Sequence, residues 1–555
     1  MAVMHDTHSH AREADIPGTV NLRPLDGEET YYGQSLFPVP SSDPNDPLQW
    51  PSWKKHMILF CCSAFSFLGN SALIGPSTYI GLFSTQFSIS PNTAAGLVNY
   101  PNLAFGFSNV LFIPTYQHIG RRPVMLVALV LYVVGLAWAA KANGFSSLMG
   151  ARVVHAFGSG VCEALPVQLV NDIFFLHERG KKLGWYTIAL CVGATGPLFS
   201  GLMLGAGLSW NLFFWVEFAF GMALLVLCFL FVEETRYERR TLPSSPSTSS
   251  TSRGGHDDKK DNAKAEANTT TTAAATVHHI EADSPSHSAI IPPRKPFLQQ
   301  LRLWTPAAAP HNEQPIHTML LRSVTHLLVP STFWVITTYG IYIGLAGFAF
   351  AFIFPLKIVA PPYSWPSTSS GFHSFATFLG FGLAIPCVSL SDRLAAYLTK
   401  RNNGIREAEM RLPILLPAML IAPAGQVVFG LAAEKNLHWI AYMAGVAMTQ
   451  FGGYFYFTVT LAYAVDSYTA NLSEMLIIMN VGKQAISFGM GLNVLDWILE
   501  SGYGRVIAGV FGGLLLANNV VVLVFMAWGR RIRRTVSRTW MARVHARTVV
   551  EGEGH

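Results

Sequence analysis

The chain has 555 residues, of which 51% are hydrophobic and only 13% are charged. An average soluble domain carries about 25% charged residues, so this composition excludes an ordinary globular protein and indicates an integral membrane protein. The formal net charge is +6. It does not indicate a nucleic-acid partner, because the basic residues lie in short loops and in the tail beside apolar segments, where they report membrane orientation.

Apolar runs recur from Met57 to Trp528. Each is about 20 residues long, which is the length that a helix needs to cross the hydrocarbon core of a bilayer. The runs predict an all-α membrane protein with twelve transmembrane helices in two six-helix bundles. The predicted helices 1 to 12 lie at 57–80, 93–115, 123–140, 147–170, 183–205, 211–232, 330–354, 371–390, 412–433, 439–463, 474–494 and 506–528.

Composition divides the chain into five segments. Residues 1–53 and 233–326 are polar and rich in Pro, Ser or Thr, which predicts a disordered N-terminus and a disordered linker. The two bundles occupy 54–232 and 327–529, and a basic tail follows at 530–555. Lys and Arg are concentrated in alternate loops, which predicts that both termini and the linker lie in the cytosol.

Nothing in the sequence indicates an enzyme. The chain contains no phosphate-binding Gly-Lys-Ser/Thr loop, no zinc-ligand spacing and no nucleophile elbow, so we expect neither a cofactor nor a metal. All six cysteines lie in apolar segments, which favours buried packing over disulfide bonds.

Helix 4 carries a polar face in an otherwise apolar segment. At 100° per residue, an arc of about 80° holds Arg152, His155, Ser159, Glu163 and Pro166. An ionisable group inside a membrane costs at least about 2.5 kcal/mol and must face water or a partner. Glu163 is our candidate for exchanging a proton or holding a cationic substrate, with a structural hydrogen bond as the alternative. Arg152 either takes part in proton exchange or substrate binding, or extends its side chain to the membrane surface. His155 is either a proton relay or an interior histidine whose hydrogen bonds are satisfied.

Helix 11 carries a second polar face. Asn480, Gln484 and Ser487 share this face, and Lys483 lies at its edge. A lysine at that depth needs a partner. Lys483 either neutralises a carboxylate from the other bundle in one state of a transport cycle or ties helix 11 to a neighbouring helix.

Further residues inside the helices are candidates for lining a central cavity. Aromatic rings at helical spacing hold organic cations through cation–π contact, but they also pack against lipid or other helices. The asparagines have an alternative role, which is to hold neighbouring helices together by hydrogen bonds instead of lining a cavity. The candidates are Asn70, Asn102, Tyr339, Tyr342, Gln450, Tyr454, Asn480 and Gln484.

Two sets of residues are expected to govern movement. At the cytosolic ends of helices 10 and 11, Asp466 and Glu474 are expected to pair with Arg121, Arg122 or Arg179 as a gate. Glycines are expected to permit close packing or bending, because they let another backbone approach. These glycines are Gly340, Gly344 and Gly347 of helix 7, and Gly193 and Gly196 of helix 5, which share a face with Ser200 beside Pro197.

Several stretches together resemble the major facilitator superfamily, and specifically its fungal twelve-spanner branch of drug:proton antiporters. The Trp-rich approach to helix 1, HERG and EETRYER are similar to the branch that includes the yeast cation and polyamine transporter. The stretches are DPNDPLQWPSWKK before helix 1, GRRP at 120–123, ARVVHAFGSG at 151–160, DIFFLHERGKKLG at 172–184, GATGPLFSG at 193–201, EETRYERR at 233–240 and YAVDSYTANLSEMLIIMN at 463–480.

This resemblance implies two bundles that rock about a central cavity, and it assigns roles to single residues. The loop motif that locks the inward gate has departures here, because Gln117 and His118 replace the family's Asp-Arg. The matches are Gly120, Arg121 and Arg122 for this loop; Asp392 and Arg393 for its counterpart in the second half; Asp172 and Arg179 for the loop after helix 4; Arg152, Gly158 and Gly160 for the proton-coupling motif; and Gly193, Gly196, Pro197 and Gly201 for the antiporter motif.

The sequence therefore predicts a carrier that moves a small organic solute by alternating access, with protons moving the opposite way. Export of a drug, toxin or metabolite is favoured. The alternatives are proton-coupled uptake of polyamine-like cations and a nutrient receptor that keeps the fold without transporting. We expect the solute, protons and the lipid bilayer as partners, no nucleic acid, a functional monomer, and residence in the plasma membrane.

Overall fold

The computed structural model describes residues 43–237, 315–388, 390–467 and 472–540, the short stretches 19–21, 30–31 and 34–35, and residues 296, 299, 302 and 544. Long helices dominate this part of the chain, and its strands have only two or three residues each. We number the membrane helices α1 to α12, as counterparts of predicted helices 1 to 12.

The first half forms six long helices, and three of them are interrupted by a tight turn. The bounds are Ser52–Ile74, Gly75–Tyr79 and Ile80–Gln86 for α1; Pro91–Ile119 for α2; Arg121–Ala140 for α3; Phe145–Ser159, Gly160–Glu163 and Leu165–Ile173 for α4; Leu176–Gly193 and Gly196–Gly205 for α5; and Trp210–Phe231 for α6.

The second half repeats this plan after the linker. The bounds are Pro330–Ile341, Tyr342–Gly347 and Phe348–Val359 for α7; Ser367–Gly371, His373–Val388 and Leu390–Arg401 for α8; Leu416–Lys435 for α9, preceded by the turns of Ala408–Leu415; Trp439–Ser467 for α10; Leu472–Gly491 for α11, followed by the bent piece Val494–Ser501; and Gly504–Phe511 and Gly512–Ser537 for α12.

The count agrees with the prediction of twelve membrane helices. In the described part of the chain, nine helices are long and apolar enough to span a membrane, and α11 with its bent piece makes a tenth. The remaining two, α2 and α10, have 29 residues each and are long enough to span, but they carry more polar residues. α8 and α12 extend beyond their predicted ends at 390 and 528, because hydropathy marks only the apolar part of a helix.

The predicted disordered segments are shorter than composition indicated. Residues 43–50 pack onto the first bundle, with Leu48 and Trp50 buried, so the N-terminal segment does not remain unstructured up to residue 53. The strand β1 (Thr19–Asn21) pairs antiparallel with β4 (Ile405–Glu407). The strands β2 (Thr30–Tyr31) and β3 (Gln34–Ser35) pair antiparallel with each other. The rest of 1–42 lies outside the described residues.

The linker is ordered at both ends, where 233–326 was predicted to be disordered. Residues 233–237 contact the first bundle, and Ile316–Thr325 forms a helix, here called the linker helix. Residues 238–295 lie outside the described part. The predicted tail beginning at 530 is also structured at its start, because α12 continues to Ser537.

Prolines determine where several polar side chains dock. A proline has no N–H, so the carbonyl four residues before it lacks its helical donor, and a side chain from another helix donates instead. The pairs are Pro76 with the Ala72 carbonyl and Arg152; Pro101 with Leu97 and Arg152; Pro166 with Cys162 and Ser66; and Pro423 with Met419 and Asn519.

Candidate functional site

An ion pair joins the two bundles at mid-helix depth. The Lys483 Nζ of α11 lies 2.5 Å from the Glu163 Oε2 of α4. The two side chains are only 4% and 11% exposed. Two charges at this depth are tolerated because each neutralises the other. Of the two interpretations of Lys483, the structure has the one in which it meets a carboxylate from the other bundle.

The break in α4 sets the position of Glu163. The helix tightens over Gly160–Glu163 and resumes at Leu165, because Pro166 cannot donate to the carbonyl of Cys162. Ser66 donates to this carbonyl at 2.8 Å. Tyr186 of α5 donates to the Glu163 carbonyl at 3.0 Å. Side chains of α1 and α5 therefore hold the backbone that presents the carboxylate.

Aromatic side chains surround the ammonium of Lys483. Its Nζ lies 5.2 Å from the ring centroid of Tyr339 in α7, a cation–π distance. The hydroxyl of Tyr339 donates to the Phe457 carbonyl of α10, and the Tyr339 and Phe457 rings are 4.8 Å apart. Tyr342, one turn further along, packs on the Tyr456 ring at 5.1 Å. These contacts link the ion pair to an aromatic cluster between α7 and α10.

Three buried polar side chains near the pair keep hydrogen-bonding capacity unused. Within the described part of the chain, the Asn480 Nδ2, the Gln484 Oε1 and the Tyr342 hydroxyl make no hydrogen bond to protein. Their residues are 1%, 2% and 3% exposed. A buried polar atom without a partner costs about 1–3 kcal/mol. All three were predicted to line a cavity, and their unused atoms are suited to a polar solute.

Hydrogen bonds between α2 and α11 join the bundles on the side of the ion pair towards the end of α11. Asn99 donates to the Gly491 carbonyl at 2.7 Å, and Asn102 donates to Ser487 at 3.3 Å. A methyl group at Gly106 would lie 2.6 Å from Gln484 Cβ, so this glycine permits the close approach. Asn102 thus connects α2 to α11, and its role in lining a cavity stays a prediction.

Arg152 is fully buried, and its donors go to main-chain carbonyls and a neighbouring ring. Nε donates to Leu97 at 3.0 Å, Nη2 donates to Leu73 at 2.6 Å and Nη1 donates to Ala72. Nη1 also lies 2.7 Å from the His155 Nε2. Because the residue is 0% exposed, the alternative in which its side chain extends to the membrane surface is wrong. This guanidinium ties α1, α2 and α4 within the first bundle.

The other predicted cavity residues have mixed surroundings. Asn70 donates to the Leu190 carbonyl at 2.8 Å, so it also connects helices, here α1 and α5. Tyr454 is buried against Phe381, with ring centroids 5.9 Å apart. Gln450 is partly exposed on α10. The structure does not bring Gln450 or Tyr454 into the contacts of the ion pair.

The predicted gate residues pair within their own bundle or with the linker helix. We name the ends of the bundles where α6 ends and α7 begins the linker side. There Arg121 lies 3.2 Å from Asp172, Asp466 lies 2.9 Å from Arg411, and Glu474 lies 3.9 Å from Arg322. The predicted pairing of Asp466 and Glu474 with the first bundle is therefore wrong in this conformation.

The remaining basic gate candidates bind the main chain or face outward. Arg122 donates to the Phe229 carbonyl at 2.8 Å, and Arg179 donates to the Asn171 carbonyl at 2.8 Å. Arg393 is exposed, and the side chain of Asp392 lies outside the described part. Between the bundles at this end, the Gln117 side-chain amide donates a hydrogen bond to the Ser473 hydroxyl.

The segment after α6, residues 233–237, is held by contacts that its resemblance to the family did not reveal. Its consecutive residues contact the first bundle and the segment before it. The contacts are Glu233 with Lys54; Glu234 with the main-chain N–H groups of Arg121 and Arg122; Thr235 with Asp172; Arg236 with the His118 carbonyl; and Tyr237 with Asp43. Alternating acidic, hydroxyl and basic residues directly after an apolar run were the available signal.

Small residues of α5 permit close approach on two sides, as their spacing predicted. A methyl group at Gly193 or Gly196 would meet the α1 backbone at Phe67 or Ser71. At Gly201 it would lie 2.8 Å from the main-chain nitrogen of Gly371 in α8. Away from the linker side, the two bundles are therefore in close contact through α5 and α8.

Comparison with known proteins identifies the family of this arrangement. The family model described as Major Facilitator Superfamily matches residues 59–492, which is most of the chain. The chain belongs to the Major Facilitator Superfamily. The facilitator is therefore a secondary transporter and not an enzyme.

Three similar curated proteins are fungal. Protein HOL1 of Saccharomyces cerevisiae is 23% identical over 96% of this chain and 97% of the relative. An uncharacterised MFS-type transporter of Schizosaccharomyces pombe is 24% identical over 96% and 95%. The probable efflux pump mfs2 of Aspergillus flavus is 23% identical over 78% and 92%.

A solved structure supports the fold of the facilitator. The xylose transporter XylE of E. coli, in a partially occluded inward-open conformation, matches with a TM-score of 0.53 at 12% identity. The match covers 85% of this chain and 98% of XylE. At this identity the likeness shows a shared fold alone.

Proposed function

We propose that the facilitator exports a small organic solute by alternating access in exchange for protons, and that Glu163 couples the two movements. The observation that carries the proposal is the 2.5 Å ion pair between Glu163 and Lys483. Because the two residues belong to different bundles, the pair opposes separation of α4 from α11. Protonation of Glu163 removes one charge and weakens this attachment.

The proposed cycle alternates between a proton and Lys483 at the same carboxylate. When Glu163 is ionised, Lys483 pairs with it. When Glu163 accepts a proton, Lys483 keeps the ring of Tyr339 as a neighbour, and α4 and α11 are free to move apart. A solute held by Asn480, Gln484 and Tyr342 then becomes accessible to the other side of the membrane.

Direction and sidedness are part of the proposal. The name of a relative, a probable efflux pump, and the small-residue motif of α5 support export. The basic loops support a cytosolic linker side with both termini in the cytosol. On this assignment, contact between α5 and α8 at Gly201 and Gly371 closes the outer side. We propose the plasma membrane as the location and a monomer as the working unit.

A transport assay with a matched pair of carboxylate variants tests the coupling. The solute is first found by a growth screen of strains lacking or overproducing the protein against toxins, drugs and polyamines. Purified protein in liposomes is then assayed for uphill transport driven by a pH gradient and for solute exchange without a gradient. We expect Glu163→Gln to abolish uphill transport driven by the pH gradient and to retain part of the solute exchange.

Glu217→Gln is the control, because Glu217 is also a buried carboxylate of the first bundle. It accepts hydrogen bonds from Ser71 at 2.7 Å and Tyr132 at 3.3 Å, both within that bundle. We expect this variant to retain proton-driven transport. If Glu163→Gln transports uphill as well as the unmodified protein does, Glu163 is not the coupling residue.

A second candidate function is proton-coupled uptake of polyamine-like cations. The observation that favours it is the location of the Lys483 ammonium, which is held by a carboxylate and an aromatic ring. An alkylammonium ligand would find the same two partners. The assay separates the candidates: inward, gradient-driven accumulation of spermidine indicates uptake, whereas outward movement of the solute from the screen indicates export.

A further inference from the structure

The linker helix has an apolar face that the described part of the chain leaves uncovered. Leu321, Val324 and Leu328, the last in the turn after the helix, are 67%, 56% and 59% exposed. On the other face, Met319 and Ser323 are buried, and the helix packs against α11 and the end of α2. The helix thus has one face on the protein and an outward face that is apolar except for the exposed His317 near the start of the helix.

The location of this helix indicates what covers the apolar face. The turn His326–Leu328 joins it directly to α7, which begins at Pro330. Phe333, in the first turn of this membrane helix, is 53% exposed, as expected for an aromatic side chain that faces lipid on a spanning helix. The exposed face of the linker helix is therefore continuous along the chain with a surface that contacts lipid. Burying a Leu or Val side chain contributes about 1.5–3 kcal/mol, so lipid contact is strongly favoured over water.

The opposite face contacts the start of α11. Arg322 Nη1 lies 3.9 Å from Glu474 Oε1, and His326 Nε2 lies 3.8 Å from Glu474 Oε2. Glu474 is in the first turn of α11 and is 7% exposed. Lys483 follows on the same helix, about 13 Å away at 1.5 Å per residue. The linker helix therefore holds the start of the helix that carries the Lys483 ammonium.

We propose that the linker helix lies in the membrane surface and anchors the start of α11. Its face of Leu321, Val324 and Leu328 inserts between the phospholipid acyl chains at the boundary of the linker-side leaflet, which is the usual position of an amphipathic surface helix. Arg322 and His326 then fix Glu474 relative to the bilayer. The helix gives α11 a support in addition to the direct contacts of α11 with the first bundle.

Spin labelling tests the membrane location without depending on transport. A nitroxide is attached to Leu321→Cys and, as the matched control, to Thr318→Cys on the half-buried flank of the same helix. Five of the six native cysteines are buried, and unmodified protein provides the background. In phosphatidylcholine liposomes we expect the Leu321 label to be more accessible to oxygen than to a water-soluble nickel chelate, and the Thr318 label to show the reverse preference. A Leu321 label that prefers the nickel chelate overturns the proposal.

A transport measurement tests the anchoring role. We expect Leu321→Asn with Val324→Asn to lower the transport rate several-fold at equal protein in the liposomes, whereas Thr318→Asn leaves it within twofold. An unchanged rate in the double variant overturns the anchoring role. If the double variant does not insert into the membrane, the labelled single variants still decide the location of the helix. In the transport measurement, Arg322→Gln then replaces the double variant, and we expect the same several-fold loss of rate. An unchanged rate of Arg322→Gln contradicts the anchoring role.

Discussion

The guanidinium of Arg152 donates hydrogen bonds that Pro76 cannot supply. In a regular α-helix the Ala72 carbonyl would accept from residue 76, and in the tighter turn that follows, the Leu73 carbonyl would accept from the same residue. Arg152 donates to both carbonyls. The arginine of helix α4 and the proline of helix α1 are therefore one structural unit, although they are far apart in the sequence.

This unit predicts a compensating pair of substitutions. Arg152→Leu leaves carbonyls of Ala72, Leu73 and Leu97 without this donor, at about 1–3 kcal/mol each, so we expect a large fall in the thermal unfolding midpoint in detergent. Adding Pro76→Ala restores one N–H and should recover part of the loss. Pro114→Ala serves as the control, because Arg152 does not contact that turn. Equal midpoints for the single Arg152 variant and the double variant would contradict the interpretation.

The ion pair between bundles predicts a measurable coupling. Glu163→Gln and Lys483→Gln each leave one buried charge without its partner, and such a loss typically costs about 3–5 kcal/mol. The double variant removes both charges, so we expect it to be more stable than the sum of the single effects, with a coupling of about 0.5–3 kcal/mol. Chemical unfolding of the four proteins measures this coupling. Additive effects would show that the contact does not hold the bundles together.

The packing of α7 on α11 predicts that a bulky residue blocks movement. A methyl group at Gly344 would lie 3.0 Å from Ser487 Cα and 3.2 Å from Met490 Cβ. We expect Gly344→Leu to lower transport much more than the amount of protein in the membrane. Gly489→Leu on α11 is the control, because a methyl group there meets nothing within 4 Å. Normal expression with full activity of Gly344→Leu would eliminate this idea.

The contact of α5 with α8 predicts a shift between conformations. A side chain at Gly201 would collide with the backbone of Gly371, so Gly201→Leu should disfavour the state that is closed on this side. We expect a cysteine introduced at Thr368 to react faster with a membrane-impermeant thiol reagent in this background. Gly184→Leu, where a methyl group has open space, should leave the labelling rate unchanged. No increase with Gly201→Leu would exclude a closing role for this contact.

The sequence was sufficient to predict the fold and to select Glu163 and Lys483, because a charged residue within an apolar run is conspicuous and must have a reason to be there. It suggested a carboxylate of the other bundle as one possible partner of Lys483 but could not identify that carboxylate as Glu163, since this depends on how two separate bundles pack. The partners of Arg152 were not predicted either. A usable signal was present: Pro76 and Pro101 each mark a carbonyl four residues earlier that needs an outside donor.

The gate pairing failed for a different reason. Asp466 was expected to pair with an arginine of the first bundle, but Arg411 of its own bundle lies 2.9 Å away. Loop charges of both bundles meet at the same end of the molecule, so sequence position does not tell which basic residue an acid will contact. The linker helix was missed because the composition around Ile316–Thr325 is that of a disordered segment, whereas its apolar residues recur at helical spacing.

The four carbonyls described above, each four residues before a proline, accept a hydrogen bond from a side chain of their own bundle. Ser66 and Arg152 donate these hydrogen bonds in the first bundle, and Asn519 donates one in the second bundle. These hydrogen bonds within each bundle favour movement of the two bundles as rigid bodies, so conformational change is concentrated at the interface between them. In the proposed transport cycle only a few contacts between the bundles would then have to break and re-form. One proton transfer at Glu163 would be enough to shift the equilibrium between the conformations.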